Sequence, residues 1–255
     1  MIDNLKQKSQ IQSKRRLINT PWGLIVPKVD LFPIYYLIII YGFIFFLPFK
    51  IYKEYTPYDF WGRGEGLLSE LLQFLLYFSS FVLSFLITWQ QRHAIDRKQI
   101  VSWILLGLFC LFVACEEISL LDQFKGGIES IKQINAQNET NFHNLSAIQP
   151  YLHSAFIFSG LFFGWFGWKF FPNIEALPKK RYSLYFLFVS AFYAYSDINS
   201  NTKMITCVFE NCLFRQEVTE FLMALGLFLH CYKIASRNIS KRKSFKAKNN
   251  PSKLF

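Results

Sequence analysis

Six long apolar runs alternate with polar segments along the chain. The runs cover residues 31–49, 66–90, 100–114, 151–171, 182–195 and 218–234. The first run carries no charged residue over about 19 positions, and a helix of that length rises far enough to cross the hydrocarbon core of a bilayer. The pattern therefore predicts an all-α, polytopic membrane protein with six transmembrane helices.

Polar segments of distinct composition surround these runs. Residues 1–30 and 236–255 are rich in Lys and Arg. We interpret them as basic cytoplasmic tails, the second of them disordered, on either side of a six-helix domain that covers 31–235. The longest polar segment inside that domain, 118–149, is predicted to be an outer loop between helices 3 and 4.

Lys and Arg are concentrated on one side of the predicted topology. Six crossings place both termini on the same side. The tails and loops 91–99 and 169–181 hold most of the 28 Lys and Arg residues but few of the 17 Asp and Glu residues. Because basic residues are enriched in cytoplasmic loops, the chain is predicted to be N-in and C-in. The net charge of +11 then reflects topology and contact with anionic lipid at the cytoplasmic face, and it does not indicate a nucleic-acid partner.

The amino-acid composition agrees with a membrane location. Hydrophobic residues make up 52% of the chain and aromatic residues 19%, including 30 Phe, which is unusual for a water-soluble domain. Residues 1–30 lack the continuous apolar core of a secretory signal. The five Cys residues form no CxxC pair, which disfavours a zinc ribbon or a thioredoxin-type site.

The acidic residues of the predicted helices lie at their outer ends. They are Glu70 on the second run, Glu116 and Glu117 on the third, Asp197 after the fifth, and Glu217 and Glu220 on the sixth. His153 begins the fourth run at the same level. Carboxylates at the edge of a hydrophobic run are costly unless they are paired or used. We therefore predict that these groups converge in one polar site beneath loop 118–149.

The most specific interpretation of this site is a metal centre. Glu139 and His143, four residues apart, would share one helix face, as would Glu217 and Glu220, three residues apart. Carboxylates with one imidazole suit Zn, Fe or Mn, and a bound divalent metal would generate hydroxide for hydrolysis. The candidate metal ligands are Glu117, Glu139, His143, Glu217 and Glu220, and the candidate catalytic residues are Glu116, Glu117, Glu139 and His143.

Two alternatives need no metal. Paired carboxylates that share a proton would provide an acid and a base, because the charge of one raises the pKa of the other. Alternatively, the acids solvate helix ends and hold the long loop in place by hydrogen bonds. The sequence leaves all three interpretations open.

Several other residues of the apolar runs are interpreted as packing residues. His230 lies deep in the sixth run, and Cys110, Cys115 and Cys231 are small apolar side chains in this setting. Three glycines of the fourth run recur at helical spacing, which predicts a face that packs closely against another helix. They are Gly160, Gly164 and Gly167.

One segment resembles a family of bacterial multi-pass membrane proteins that is uncharacterised. Its signature is E-E-I-S-W-G-Q followed by N-x-Q-x-E-x-N-x-H-N. The chain has EEIS at 116–119, Gln123 and NAQNETNFHN at 135–144, with LLD at 120–122 in place of Trp-Gly. The resemblance implies a protein of the bacterial inner (plasma) membrane, and it implies no activity. With His153 and Asp197 added from the run ends, the candidate binding residues are Gln123, Asn135, Gln137, Asn141, Asn144, His153 and Asp197.

These observations support three functional hypotheses. The first is a metal-dependent hydrolase or transferase that acts on membrane lipid or a lipid-linked group at the outer leaflet. A looser resemblance to the alkaline ceramidase-like membrane hydrolases points the same way, although the paired histidines of that family's late helix are missing here. The second is a proton- or cation-coupled transporter, which needs a polar path to the inner side. The third is a non-catalytic subunit or assembly factor of a membrane complex, which binds a protein partner.

Overall fold

The described part of the chain is mostly helical. The computed structural model describes residues 18–20, 23–25, 27–46, 68–92, 94–117, 133, 145, 148–202 and 212–249. Within these ranges the β structure consists mainly of one antiparallel hairpin, in which Ile18–Thr20 (β1) pairs with Gly23–Ile25 (β2). The predicted all-α fold class is confirmed for the described residues.

A long helix occupies each of the six apolar runs. The helices are α1 (Phe32–Phe46), α2 (Leu68–Gln91), α3 (Arg97–Glu117), α4 (Gln149–Leu161), α5 (Ser183–Thr202) and α6 (Cys212–Asn249). Helix α4 widens into a π-helical turn at Phe162–Phe166 and ends as Gly167–Phe170. The alternation of apolar runs and polar segments therefore located the helices correctly.

Helix α6 is longer than the sixth apolar run predicts. It continues through the basic segment to Asn249, so the segment from Arg237 to Asn249 is helical, and the prediction of a disordered tail is wrong for it. The physical reason is local. Residues 236–249 contain no Gly or Pro, and Lys, Arg and Ala favour helix. Pro251 follows, and a proline disfavours helical backbone in the residue before it.

Two helices can cross a membrane by length and composition. They are Glu70–Gln91 within α2 and Arg97–Glu117, with 22 and 21 residues. Only 28% of the apolar window of each is buried inside the protein, whereas the core helix of a soluble protein is mostly buried. Within the described ranges no other helix meets the same criteria; α1, with 15 residues, would rise only about 22 Å. The two spans favour a membrane protein.

Helices α2 to α6 form a closed ring. Helix α2 packs between α3 and α6, and α5 packs between α6 and α4. Phe109 of α3 contacts Phe163 of the π-helical turn, with ring centroids 5.6 Å apart, which closes the ring. Helix α1 lies outside it, where Phe32 stacks on Tyr185 of α5 at 6.2 Å.

Helices α4 and α5 approach closely at two glycines. A Cβ atom on Gly160 would lie 2.6 Å from the carbonyl oxygen of Phe186, and one on Gly164 would lie 2.9 Å from Cγ of Leu187. Small residues allow two helix backbones to come together in this way. The prediction that Gly160 and Gly164 form a packing face is confirmed.

One end of the ring, called the basic end below, is closed by the loop that follows Phe170. The backbone N–H of Glu175 donates to the Gln99 side chain at 2.9 Å, and the Glu175 carboxylate pairs with Arg237 at 2.8 Å. These contacts attach the loop to α3 and α6. The basic residues at this end are Arg92, Arg97, Lys98, Lys169, Lys179, Lys180, Arg181, Lys233 and Arg237. The opposite end, called the acidic end, carries Glu70, Glu116, Glu117 and Glu220.

Candidate functional site

A hydrogen bond between α5 and α6 lies at the centre of the acidic end. The hydroxyl of Tyr193 donates to Oε1 of Glu220. Tyr193 is 2% exposed and Glu220 is 9% exposed, so the bond lies in the protein interior. A hydrogen bond contributes about 0.5–1.5 kcal/mol to stability, and this one ties α5 to α6.

Helix α4 contributes His153 to the same place. The imidazole ring packs edge-on against Tyr193, with centroids 5.0 Å apart and an interplanar angle of 75°. Phe156, one turn further along α4, stacks on Tyr193 at 4.6 Å. Two aromatic contacts therefore orient the tyrosine that binds Glu220.

Tyr77 links this group to the other two helices of the ring. The carboxylates of Glu117 on α3 and Glu220 on α6 both act electrostatically on the Tyr77 hydroxyl. Tyr77 lies on α2 and is fully buried, and its hydroxyl has no hydrogen-bond partner among the residues that the structure describes. Each helix from α2 to α6 thus provides one member of a group that we call the acid cluster: Tyr77, Glu117, His153, Tyr193 and Glu220.

Two members of the acid cluster were not predicted from the sequence. Tyr77 and Tyr193 were counted as apolar residues of their runs, although a buried tyrosine hydroxyl usually needs a polar partner. A signal for Tyr77 exists in its spacing. Tyr77 follows the buried Gln73 by four residues and precedes the buried Ser80 by three, which places all three on one face of α2.

Glu70 and Glu116 also lie at the acidic end. Both side chains are half-buried. Glu116 neighbours Glu117 along α3, and successive residues of a helix point about 100° apart. The two acids of this pair therefore do not share one direction.

Most of the predicted loop residues lie outside the described part of the chain. The residues concerned are Gln123, Asn135, Gln137, Glu139, Asn141, His143 and Asn144. Asp197 and Glu217 lie on helices α5 and α6, but their side chains are outside the described part as well. Their predicted positions around the site stay predictions.

The described residues contain no group of three or more His, Cys, Asp and Glu side chains that could hold a metal ion. Of the five predicted ligands, only Glu117 and Glu220 have described side chains. Both act electrostatically on Tyr77. Carboxylates are ligands that Zn, Fe and Mn accept, and the prediction of a metal stays untested.

No protein-family model, curated protein or solved structure matches the chain. The resemblance of segment 116–144 to a bacterial membrane family therefore stays a prediction.

Proposed function

We propose that the chain is a six-span protein of the bacterial inner membrane whose acid cluster transfers protons in a reaction of a lipid or lipid-linked substrate. The single observation that carries the proposal is the buried hydrogen bond from Tyr193 to Glu220. The imidazole of His153 packs against the tyrosine of this bond. The reaction class is hydrolysis or group transfer.

Charge distribution supports the six-span topology with both termini inside. The basic end carries the loops between α2 and α3 and between α4 and α5, and Glu70, Glu116, Glu117 and Glu220 lie at the other end. Enrichment of Lys and Arg in short loops is typical of the cytoplasmic side. The acid cluster would then lie at the outer leaflet. Helix α1 would need residues beyond Phe46, and the apolar run to residue 49 supplies some of them.

The chemistry follows from the two carboxylates. Glu117 and Glu220 both act electrostatically on Tyr77, and two carboxylates at one site can divide the roles of acid and base. We assign the role of general base to Glu220, which accepts a hydrogen bond from Tyr193. We assign the role of general acid to Glu117, and His153 orients Tyr193 through its ring contact.

A second version of the proposed chemistry adds a divalent metal bound by the same residues. Glu117 and Glu220, joined by Glu139, His143 and Glu217 from the predicted set, would hold Zn, Fe or Mn. Bound there, the metal would supply a more acidic water. The acid–base roles of Glu117 and Glu220 would then become ligand roles, and the two versions differ in whether activity follows metal content.

The test is turnover of lipid substrates by the purified full-length protein. Fluorescent glycerolipids, ceramides and polyprenyl phosphates are incubated with the protein in mixed micelles, and products are identified by mass spectrometry. Loss of an acid–base residue costs about a hundredfold or more in rate, so we expect that loss in Glu117→Gln and Glu220→Gln.

Asp96→Asn is the matched control. It is also an acid-to-amide change, but it lies at the basic end, where the Asp96 carboxylate accepts from the N–H of Gln99. Asn retains that type of bond, because Asn and Asp cap helices equally well. Lipid turnover at the full rate in both glutamine variants would refute the proposal. A wild-type protein that converts no lipid substrate would also refute it.

A further inference from the structure

The last turn of helix α4 holds a cation among exposed aromatic rings. The ammonium of Lys169 lies 4.9 Å from the centroid of the Trp165 ring and 5.6 Å from that of the Phe170 ring. Trp165 stacks on Phe166 at 5.1 Å, and Phe166 packs against Phe170 at 6.0 Å. Three connected rings therefore position one ammonium at the basic end. We call these four residues the Lys169 site.

The backbone of α4 brings these side chains together. Trp165 and Lys169 are four residues apart, as are Phe166 and Phe170, so each pair shares one side of the helix. The site begins in the π-helical turn and ends in the final turn Gly167–Phe170. Trp168 secures this junction, because its indole N–H donates to the carbonyl of Gly164 at 2.7 Å. Such π-helical turns inside α-helices are frequent at functional sites.

The Lys169 ammonium is available to an anion from outside the chain. It is exposed, and within the described ranges it forms no ion pair and no hydrogen bond. An ammonium carries three donors. The acids of the two neighbouring loops are engaged elsewhere, since Asp96 accepts from the N–H of Gln99 and Glu175 pairs with Arg237. The site therefore combines a positive charge and three donors with an apolar aromatic surface.

Pairs of a cation and an aromatic ring recur at the basic end. The Arg92 guanidinium lies 4.2 Å from the ring centroid of Trp89 at the end of α2, and the Lys180 ammonium lies 5.7 Å from that of Trp168. Trp89 is 67% exposed. Exposed tryptophans with basic side chains beside them are typical of the membrane interface, where the ring lies at the level of the lipid headgroups. The anion at that level is the phosphate of a phospholipid.

We propose that the Lys169 site binds the phosphate group of an anionic phospholipid. The ammonium donates to the phosphate oxygens, and the rings of Trp165 and Phe170, both exposed, pack against the glycerol and the upper acyl chains. A zwitterionic lipid binds less well, because its own cationic group is repelled by Lys169. Contact with anionic lipid, which the charge distribution predicts for the whole cytoplasmic face, is thereby assigned to one ammonium and three rings. The site does not depend on the reaction proposed for the acid cluster.

Native mass spectrometry tests the Lys169 site. The purified full-length protein is equilibrated in detergent micelles with equal amounts of phosphatidylglycerol and phosphatidylcholine that carry the same acyl chains, and the lipids that stay bound are counted. We expect a several-fold excess of phosphatidylglycerol on the wild-type protein. Lys169→Gln should reduce this excess several-fold, because the amide carries no charge, whereas Lys169→Arg should retain it. Trp165→Leu should also reduce it, because the ammonium loses one of its rings.

Lys98→Gln is the matched control. Lys98 is another exposed lysine of the basic end, and its ammonium contacts no aromatic ring in the described part of the chain, so the excess should stay at the wild-type level. Equal retention of the two lipids by the wild-type protein overturns the proposal. An equal decrease in Lys98→Gln and Lys169→Gln also overturns it, because net charge would then explain the preference.

A soluble phosphate is distinguished by competition. Glycerol phosphate, which has the headgroup chemistry without acyl chains, should not displace bound phosphatidylglycerol at an equal concentration. Displacement under these conditions would identify a site for a soluble phosphate and overturn the assignment to lipid. Lipid turnover is measured separately with the variants of Glu117 and Glu220, so either proposal can fail while the other stands.

Discussion

Tyr193 on α5 and Glu220 on α6 are joined by a hydrogen bond in the interior of the acidic end. The two residues lie 27 positions apart in the chain, and His153 and Phe156 of α4 both pack on the tyrosine ring. The bond thus connects three helices through one side chain. Glu220 is therefore held by a tyrosine that is itself fixed by two aromatic contacts.

Replacing Tyr193 by Phe should destabilise the protein. The change removes the bond to Glu220 and leaves the ring contacts with His153 and Phe156, so the buried carboxylate loses a donor. We expect a loss of about 1–3 kcal/mol, measured as the free energy of unfolding in detergent. Tyr195→Phe is the control, because Tyr195 lies on the same helix and is 43% exposed; an equal loss in both variants would contradict this role.

Replacing Gly160 by Ala should weaken the contact between α4 and α5. The new Cβ would lie 2.6 Å from the Phe186 carbonyl oxygen, which is backbone and cannot rotate away. Overpacking of this kind costs about 1–3 kcal/mol, and the midpoint of thermal unfolding should fall. Ser154→Ala on the exposed side of α4 should leave the midpoint nearly unchanged, and an unchanged midpoint in Gly160→Ala would disprove the close approach.

Breaking the ion pair between Glu175 and Arg237 should have a small effect on stability. The two side chains are 35% and 47% exposed, and solvent screens a pair at such positions, so Arg237→Gln should cost about 0–1 kcal/mol. Chemical unfolding at low and high salt is the measurement. A larger loss that disappears at high salt would show that the pair is part of a stronger charge network at the basic end.

Metal content separates the two versions of the proposed chemistry. If Glu117, Glu139, His143, Glu217 and Glu220 form a centre, purified protein should contain about one equivalent of Zn, Fe or Mn per chain, since a closed site of protein ligands retains its ion. His143→Ala and Glu117→Gln should lower that content, and chelation should abolish lipid turnover. Turnover that survives chelation would leave the metal-free carboxylate pair as the mechanism.

Membrane topology can be mapped with cysteine labelling. In a background without the native Cys residues, Ala94→Cys should react with a membrane-impermeant maleimide only after the cells are opened, because the proposed topology places the basic loop that contains residue 94 in the cytoplasm. Ile148→Cys, at the start of α4, should react in intact cells. The reverse labelling pattern would show that the protein has the opposite orientation in the membrane, with the acid cluster on the cytoplasmic side.

The positions of the helices could be read from the sequence, whereas their rotation could not. A run such as 31–49 is apolar on nearly every side, because lipid and the protein interior are both apolar solvents. Such a run predicts a helix but does not indicate which face packs inward. For this reason Tyr77 and Tyr193 were counted with the apolar residues, and their roles appeared only from the packing.

The sequence by itself determined the helical class and the positions of the helices. It also determined that the two ends of the helices differ in charge and that His153, Glu117 and Glu220 lie at the same end. These properties follow from local hydrophobicity, from chain length and from charge, which act along the polymer. Only the tertiary structure decided that Tyr193 meets Glu220 and that Ser84 meets Cys231. Contacts between distant residues depend on how each helix is rotated in the ring, and that rotation is selected by the packing of all neighbours together.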